Sequence, residues 1–396
     1  MTKRPSTFNV KRIFGHPRPS GLEPNQKQQA HGNQKFQPLP PPTGQSPYHL
    51  SLDSVLPASE ISSILKSGGI TFHVTGDTGG IMNPNPQLNV VSAMEQDLKS
   101  NGPTIPAFFY HLGDVVYFFG QADQYYPQFY EPYFNYDVPI FAIPGNHDGD
   151  IDPTNPNPPS SLSAFVTNFC SDTPVTSPHS GEAPRHTMTQ PNVYWTLDAP
   201  FVTIIGLYSN VPEGGEIEQD QIDWFVNELS NAPKNKALIV TVHHPAYSYD
   251  EFHGGATNIE TLLDNAFAQS TRYPDIVFTG HVHNYQRFTR TVKGREIPYI
   301  VAGAGGYHNE HHMRTMPDGS RIQVPFQVPN NPGLTLENYC DNQFGYLIIS
   351  ITSDAITGQY CAVPGQLLSQ PVQATKIDSF KIDLKKHQLV SSTMLP

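Results

Sequence analysis

The sequence is short of charge, of cysteine and of long apolar runs, and each shortage excludes something. Charged residues make up 15% of the 396, well under the usual quarter. The charge present leans acidic, with 23 Lys and Arg against 35 Asp and Glu and a net of −12. A broad electrostatic footprint for nucleic acid is therefore not expected. No run of 18 apolar residues occurs, so no membrane-spanning helix is expected. Three cysteines, Cys170, Cys340 and Cys361, allow at most one disulfide and lean toward a reducing compartment. There is no G-X-Y period and no heptad pattern, which excludes collagen and coiled coils. The basic N-terminus (Lys3, Arg4, Lys11, Arg12) is not followed by the apolar stretch of a secretory signal. With Met1 in place, the expectation is an intact start and a cytoplasmic location.

Proline and glycine are abundant instead, at 39 and 30 residues, and proline runs near twice its usual share. The chain therefore reads as loop-rich, with long connections between modest apolar runs. Seventeen histidines in an acidic protein supply, with the carboxylates, the raw material of metal sites. At about 150 residues per domain the length alone gives between two and three domains.

Residues 1–48 hold eleven Gln, Asn and His, the triplet Pro40-Pro41-Pro42 and hardly any large apolar residues. Such a segment buries too little surface to offset its ordering entropy. It is expected to be a flexible tail, or an arm lying across the body. A second irregular stretch, at about 150–191, carries Asn-Pro and Pro-Pro pairs and reads as an inserted surface loop. No internal repeat at a fixed period is evident.

The remainder repeats one pattern. Short apolar runs at 70–75, 107–112, 139–143, 201–205, 237–242, 275–279 and 299–302 each end abruptly in Gly, Asp, Asn or His. Near-continuous apolar runs of this length suit strands buried on both faces. Between several of them lie helical faces: Val91, Met94 and Leu98; Ile222, Phe225, Val226 and Leu229; Ile259, Leu262, Leu263 and Phe267. Runs at 346–351 and 379–384 look like strands of a closing sheet. Strands alternating with helices indicate an α/β layered fold, in which ligands sit at the carboxyl ends of strands.

Five of those strand ends carry metal-capable residues. Singly, each has an ordinary reading. Asp77 in Gly76-Asp77-Thr78-Gly79-Gly80 and Asp114 in Gly113-Asp114-Val115-Val116-Tyr117 could be turn residues, and Tyr117 a core aromatic. In Gly145-Asn146-His147-Asp148 three hydrogen-bonding side chains follow one glycine. His243-His244-Pro245 closes an apolar strand, where a lone histidine is usually a satisfied core residue. Gly280-His281-Val282-His283 places two imidazoles on one face if extended. Five independent turns would not be expected to assemble two carboxylates, an amide and three histidines in this order. Those are the donors that two neighbouring cations require, with one carboxylate bridging.

The order D-x-G, G-D-x-x-Y, G-N-H-D, V-x-x-H, G-H-x-H resembles the calcineurin-like metallophosphoesterase superfamily, and specifically its purple acid phosphatase branch. It is met at Asp77 to Gly79, Asp114 to Tyr117, Gly145 to Asp148, Val240 to His243 and Gly280 to His283, and the likeness covers roughly residues 69 to 310. Most of the superfamily carries a histidine two residues after the first aspartate, where this chain has Gly79. The purple branch replaces that ligand by the tyrosine of G-D-x-x-Y, here Tyr117.

The resemblance implies a four-layer α-β-β-α sandwich of two mixed sheets. It also implies one catalytic domain over 49–396, since ligands spread from Asp77 to His283 require one continuous body. One cation site would comprise Asp77, Asp114, Tyr117 and His283, and a second Asp114, Asn146, His243 and His281. A phenolate donor favours ferric iron in the first; the second takes Zn²⁺, Mn²⁺ or Fe²⁺.

By the same resemblance His147 faces the substrate phosphate, and His253 is an alternative acid or, read plainly, a solvated loop histidine. Gly303-Ala304-Gly305-Gly306 is read as close backbone packing under the metals. His308, His311 and His312 could rim the cleft or bind nothing. The implied reaction is hydrolysis of a small phosphomonoester, with a metal-bound hydroxide attacking phosphorus in line and His147 or His253 protonating the leaving oxygen. The alternatives are a phosphodiesterase using the same site and a catalytically silent metal- or phosphate-binding protein. Oligomeric state is not legible.

Overall fold

The computed structural model describes residues 35–99 and 105–390. The first strands are β1 (His49–Ser51), β2 (Gly69–Thr75), β3 (Phe109–His111), β4 (Ile140–Ala142), β5 (Trp195–Ala199) and β6 (Val202–Leu207). Next come β7 (Ala237–Val242), β8 (Ile276–Thr279), β9 (Tyr285–Val292), β10 (Arg295–Ala302) and β11 (Phe326–Gln327). The chain closes with β12 (Leu334–Cys340), β13 (Phe344–Thr352), β14 (Ala355–Val363), β15 (Thr375–Asp383) and β16 (Gln388–Val390). The α-helices are α1 (Ala58–Ser67), α2 (Asn85–Asp97), α3 (Asn146–Gly149), α4 (Ser163–Phe169), α5 (Gln219–Asn231) and α6 (Thr257–Ser270).

Nine strands form one sheet in the order β1-β5-β6-β7-β8-β10-β9-β12-β11, and seven form the other, β16-β15-β14-β13-β2-β3-β4. In the smaller sheet β2, β3 and β4 run parallel. In the larger, β6, β7, β8 and β10 do the same. Antiparallel strands extend both sheets beyond these blocks. Because side chains alternate along a strand, each sheet offers two apolar faces. Phe72, Tyr110 and Phe141 of the smaller sheet meet Ile204, Ile239, Phe278 and Ile300 of the larger in one core. The intervening residues Phe109, Ile140, Val240 and Val277 face helical residues such as Met94, Phe225, Leu263 and Phe267. This is the expected four-layer α-β-β-α sandwich. Two-sided burial makes these strands the costly place to cut: losing a fully buried Phe such as Phe72 costs about 3–5 kcal/mol.

The run expected at 237–242 is β7 without change. The run expected at 107–112 shortens to the three residues of β3, although the Ala107 N–H still reaches the Thr71 carbonyl (2.8 Å) and the Leu112 N–H that of Thr75 (3.0 Å). Strands β9 and β12 carry no continuous apolar run, because polar residues alternate along them. Two arginines of β9 face carboxylates: Arg287 pairs with Asp378 (2.7 Å) and Arg290 with Asp264. All three cysteines are buried and free.

Of the tail expected over 1–48, residues 1–34 lie outside the described residues. Residues 35–48 follow the second of the two expectations, an arm lying across the body. The Gln37 N–H donates to Asn210 Oδ1 (2.8 Å) and the Asn210 amide donates back to the Gln37 carbonyl (2.9 Å). Farther along, the Pro191 carbonyl accepts from the N–H of Thr43 and Gly44, and Trp224 Nε1 donates to the Pro47 carbonyl (2.7 Å). Prolines at 38, 40, 41 and 42 reduce the entropy lost in holding this stretch down. Nor is 150–191 only a surface loop. It contains α4, and Leu162, Phe165 and Phe169 join the core, enough apolar surface to dock the insertion.

Candidate metal centre

The two parallel blocks point their carboxyl ends at one place. From the smaller sheet, the loop after β2 presents Asp77, the loop after β3 presents Asp114 and Tyr117, and the turn after β4 presents Asn146 and His147. From the larger sheet, β7 ends in His243 and β8 in His281 and His283. Asp77 (φ 56°), Asp114 (φ 54°) and His281 (φ 66°) all take the left-handed backbone conformation. For residues with a Cβ each such position costs on the order of 1–3 kcal/mol and is found where surrounding structure imposes it.

These residues converge. One ligand atom each from Asp77, Asp114 and His243 lies within 4.8 Å of the others. The Tyr117 hydroxyl is 3.4 Å from Asp77 Oδ1 and 3.3 Å from His283 Nε2. Asn146 Oδ1 is 3.0 Å from both His243 Nε2 and His281 Nδ1. The His147 N–H donates to Asp114 Oδ1 (2.9 Å), and its ring lies 4.6 Å from that of Tyr117. The His253 ring lies 4.4 Å from that of His281. The expected ligands Asp77, Asp114, Tyr117, Asn146, His243, His281 and His283 thus lie close together, with His147 and His253 beside them.

The three inner imidazoles share one arrangement. His243 Nδ1 donates to the Leu112 carbonyl (2.8 Å), which turns Nε2 toward Asp114 Oδ2 (3.4 Å). His283 Nδ1 donates to the Asn309 carbonyl (2.8 Å), turning Nε2 toward Asp77 Oδ1 (3.5 Å). His281 sets Nε2 against Glu213 Oε1 (3.5 Å) and Nδ1 inward. One nitrogen anchored outward and a lone pair turned inward is the arrangement of metal-ligating histidine. His73, away from this centre, spends its two nitrogens on Tyr136 and Asp97.

The charge distribution calls for cations. Asp77 and Asp114 are buried, and Asp114 Oδ2 has no hydrogen-bond donor, a position otherwise expensive for an anionic oxygen. Burial first, then the Asp114 and Asp77 charges, raises the Tyr117 hydroxyl well above its ordinary range, so a phenolate forms here only beside a cation. Burial opposes protonation of His243, yet the Asp114 and Asp77 carboxylates raise it to about 9. Two buried carboxylates, a crowded phenol and three inward-turned ring nitrogens fit a cation centre.

Two glycines make room. A Cβ on Gly79 would lie 2.8 Å from Tyr117 Cδ2, so the Tyr117 ring occupies the space a residue-79 side chain would need. On Gly303 a Cβ would lie 2.8 Å from Asp77 Oδ2, in keeping with the close packing expected of that run.

Four neighbours complete the surroundings: Asp148 of the G-N-H-D motif, His311 from the histidines expected at the rim, and Glu213 and Tyr307, which the sequence did not single out. Asp148 accepts the N–H groups of Gly145 (2.8 Å), Val115 (3.1 Å) and Val116 (3.3 Å). It thereby ties the turn after β4 to the loop after β3. Burial and then the Asp114 charge push Asp148 up to about 7 against those donors. Glu213, in the loop after β6, accepts from His253 Nδ1 (2.9 Å). Tyr307 stacks on Tyr117 at 3.9 Å, and His311 on His283 at 4.1 Å. Glu213 had a findable signal, since it follows a strand end like the others. Tyr307 and His311 are placed by ring packing, which has no sequence period. His244 is held aside by Ser209 Oγ (2.7 Å).

Comparison with known proteins agrees with this geometry. The calcineurin-like phosphoesterase family model matches residues 70–285, more than half of the chain. The chain is 26% identical over 219 residues to purple acid phosphatase 21 of Arabidopsis thaliana, covering 52% of this chain and 42% of that protein. It is 32% identical over 130 residues to probable purple acid phosphatase 20 of the same plant, covering 29% and 28%. The chain therefore spans less than half the length of these two relatives. Among solved structures, purple acid phosphatase PPD1 from yellow lupin superposes with a TM-score of 0.51 at 15% identity, over 83% of this chain and 57% of that one. PhoD does so at 0.52 and 12% identity, over 83% and 72%. These two likenesses speak for the fold alone. With the fold, the order of the five loops and the family match in agreement, this chain belongs to the calcineurin-like phosphoesterase family.

Proposed function

We propose that the chain hydrolyses phosphate monoesters at a centre of two cations, one ferric and the other Zn²⁺, Mn²⁺ or Fe²⁺. The observation that carries this reading is the set of three imidazoles, each anchored outward, with His243 and His283 turned inward onto the buried carboxylates of Asp114 and Asp77 and His281 onto the Asn146 amide oxygen. Asp77, Asp114, Tyr117 and His283 would hold the ferric ion. Asp114, Asn146, His243 and His281 would hold the second cation. Bound there, such ions neutralise phosphate oxygens and acidify water.

The chain's own groups account for orientation and the proton. His147 Nδ1 donates to the Phe118 carbonyl (2.8 Å), leaving Nε2 for the ester oxygen. As a water oxygen bonds to phosphorus the ester P–O bond breaks, giving hydrogen phosphate and an alcohol whose oxygen takes the proton held at His147 Nε2; one water proton stays on the phosphate and the other passes to solvent, from which His147 is reprotonated. Glu213 holds His253 beside this path through Nδ1, which makes His253 the alternative donor.

The test is release of nitrophenol from nitrophenyl phosphate and from its bis-ester by metal-loaded protein, from about pH 4 to pH 9. The monoester is expected to react at least about tenfold faster in kcat/KM. A faster bis-ester reassigns the chain to diesters, and stoichiometric metal without hydrolysis of either makes it a binder. Tyr117→Phe is expected to remove a phenolate-to-iron visible band, and a colourless, fully loaded wild type would overturn the ferric assignment.

A further inference from the structure

Resting on the monoesterase reading, we infer that the alcohol part of the substrate is aromatic and that Phe252 selects it. Of the large apolar side chains left exposed among the described residues, Phe252 is the aromatic one, at 58% exposure. A single exposed apolar side chain needs no explanation by itself. Its setting does.

The loop that carries Phe252 is fixed from beneath. The fully buried Asp250 carboxylate accepts the N–H groups of Phe252 (2.9 Å), His253 (2.9 Å) and Gly254 (2.8 Å) and the Ser248 hydroxyl (2.8 Å). On the outer side the Asp250 carbonyl accepts from Arg314 Nε (2.8 Å), and the Glu251 N–H donates to the His312 carbonyl (3.0 Å). The ring is thus held out on a braced loop rather than left loose at the end of a mobile one. An aromatic group presented in this way loses little conformational freedom on binding.

Phe252 also stands at the right distance. Its ring lies 4.8 Å from that of His311, which stacks at 4.1 Å on His283. Residue 253, its neighbour in sequence, has its ring 4.4 Å from that of His281. One imidazole, that of His311, therefore separates the Phe252 ring from the candidate ligand His283. His311 is buried, takes the His283 N–H on Nδ1 (3.3 Å) and packs against the rings of His283 and Phe252. Across the site Phe118, Ile81 and Phe119 pack around Tyr117 and Tyr307. An ester whose phosphate lies at the carboxylates and whose alcohol leaves past His253 meets an aromatic edge at Phe252, where offset or edge-on ring contact adds to plain burial.

The experiment compares 2-phenylethyl phosphate with propyl phosphate on the metal-loaded full chain. The two leaving alkoxides are of similar basicity, so the difference isolates the ring. The phenylethyl ester is expected to be favoured about fivefold to tenfold in kcat/KM, through KM. Phe252→Ala is expected to abolish that preference and Phe252→Trp to retain it. Equal kcat/KM for the two esters in wild type, or a preference that survives Phe252→Ala, overturns the inference. Failure to hydrolyse either ester overturns the monoesterase reading instead. The binding of 2-phenylethylphosphonate against propylphosphonate by calorimetry then still decides, equal affinities counting against Phe252.

Discussion

The two sheets build different halves of the centre. The smaller sheet contributes oxygen: the carboxylates of Asp77 and Asp114, the Tyr117 hydroxyl and the Asn146 amide. The larger contributes nitrogen: His243, His281 and His283. They are held differently as well. On the oxygen side the backbone is braced, with Asp148 gathering three N–H groups from two loops. On the nitrogen side it is the rings that are braced, each by an acceptor outside the centre. One wall therefore supplies negative charge and the other direction. Charge decides whether a cation resides there, whereas directed lone pairs decide which cation and how firmly.

The largest effect should follow a break in the oxygen wall. Asp114 is the proposed bridge, so Asp114→Asn is expected to empty both cation sites and lower kcat/KM on the order of 10⁴-fold or more. Elemental analysis checks the metal, and unchanged stoichiometry would refute the bridge. The apoprotein should nonetheless fold, since the variant removes a buried charge lacking a donor on Oδ2. Next in size is His147→Ala, which removes none of the proposed ligands. It should retain both metals while losing about 10²–10³-fold in kcat, within the range of a general acid. Full turnover in that variant would transfer the role to His253.

The contrast between the walls also explains what was legible in the chain. The oxygen and nitrogen donors sit one or a few residues beyond short apolar runs, and both the run and the abrupt polar stop are visible along a sequence. Runs at 70–75 and 237–242 became β2 and β7 nearly residue for residue. Strands such as β9 were not visible because Arg287 and Arg290 interrupt the apolar pattern, and their partners Asp378 and Asp264 lie elsewhere in the chain. The braces were hidden for the same reason: Asp148 reaches back across 33 residues to Val115, and Glu213 across 68 to His281. A local pattern shows which residues are offered, and long-range contacts show how they are held.

A smaller effect should come from loosening the nitrogen wall. Glu213 sits behind His281 and His253 rather than among the inner donors. Glu213→Gln should weaken retention of the second cation by about 10–100-fold, as outer partners of ligating histidines commonly do. The first cation should stay. Competition with a graded chelator, read by metal content, measures the two losses separately. Equal weakening at both sites would mean that Glu213 acts on the whole cleft instead of through His281.

The smallest expected effect lies far from the centre, at the outer edge of the larger sheet. There β1 pairs with β5, and His49 stands between two carboxylates, with Nδ1 2.7 Å from Asp198 and Nε2 2.7 Å from Glu228. Hydrogen bonds donated to Asp198 and then to Glu228 outweigh burial and raise His49 to about 10. A histidine raised in the folded state binds its proton more tightly there than in the unfolded chain. Its contribution to stability is therefore complete below about pH 6.5, declines as pH rises, and is gone above about pH 10. Because the side chain is 41% exposed, solvent screening limits it to about 1 kcal/mol. His49→Gln should accordingly melt about 2 °C below wild type near pH 6, with the gap closing by about pH 10. A gap that stayed constant across that range would show that His49 holds β1 by packing rather than by charge.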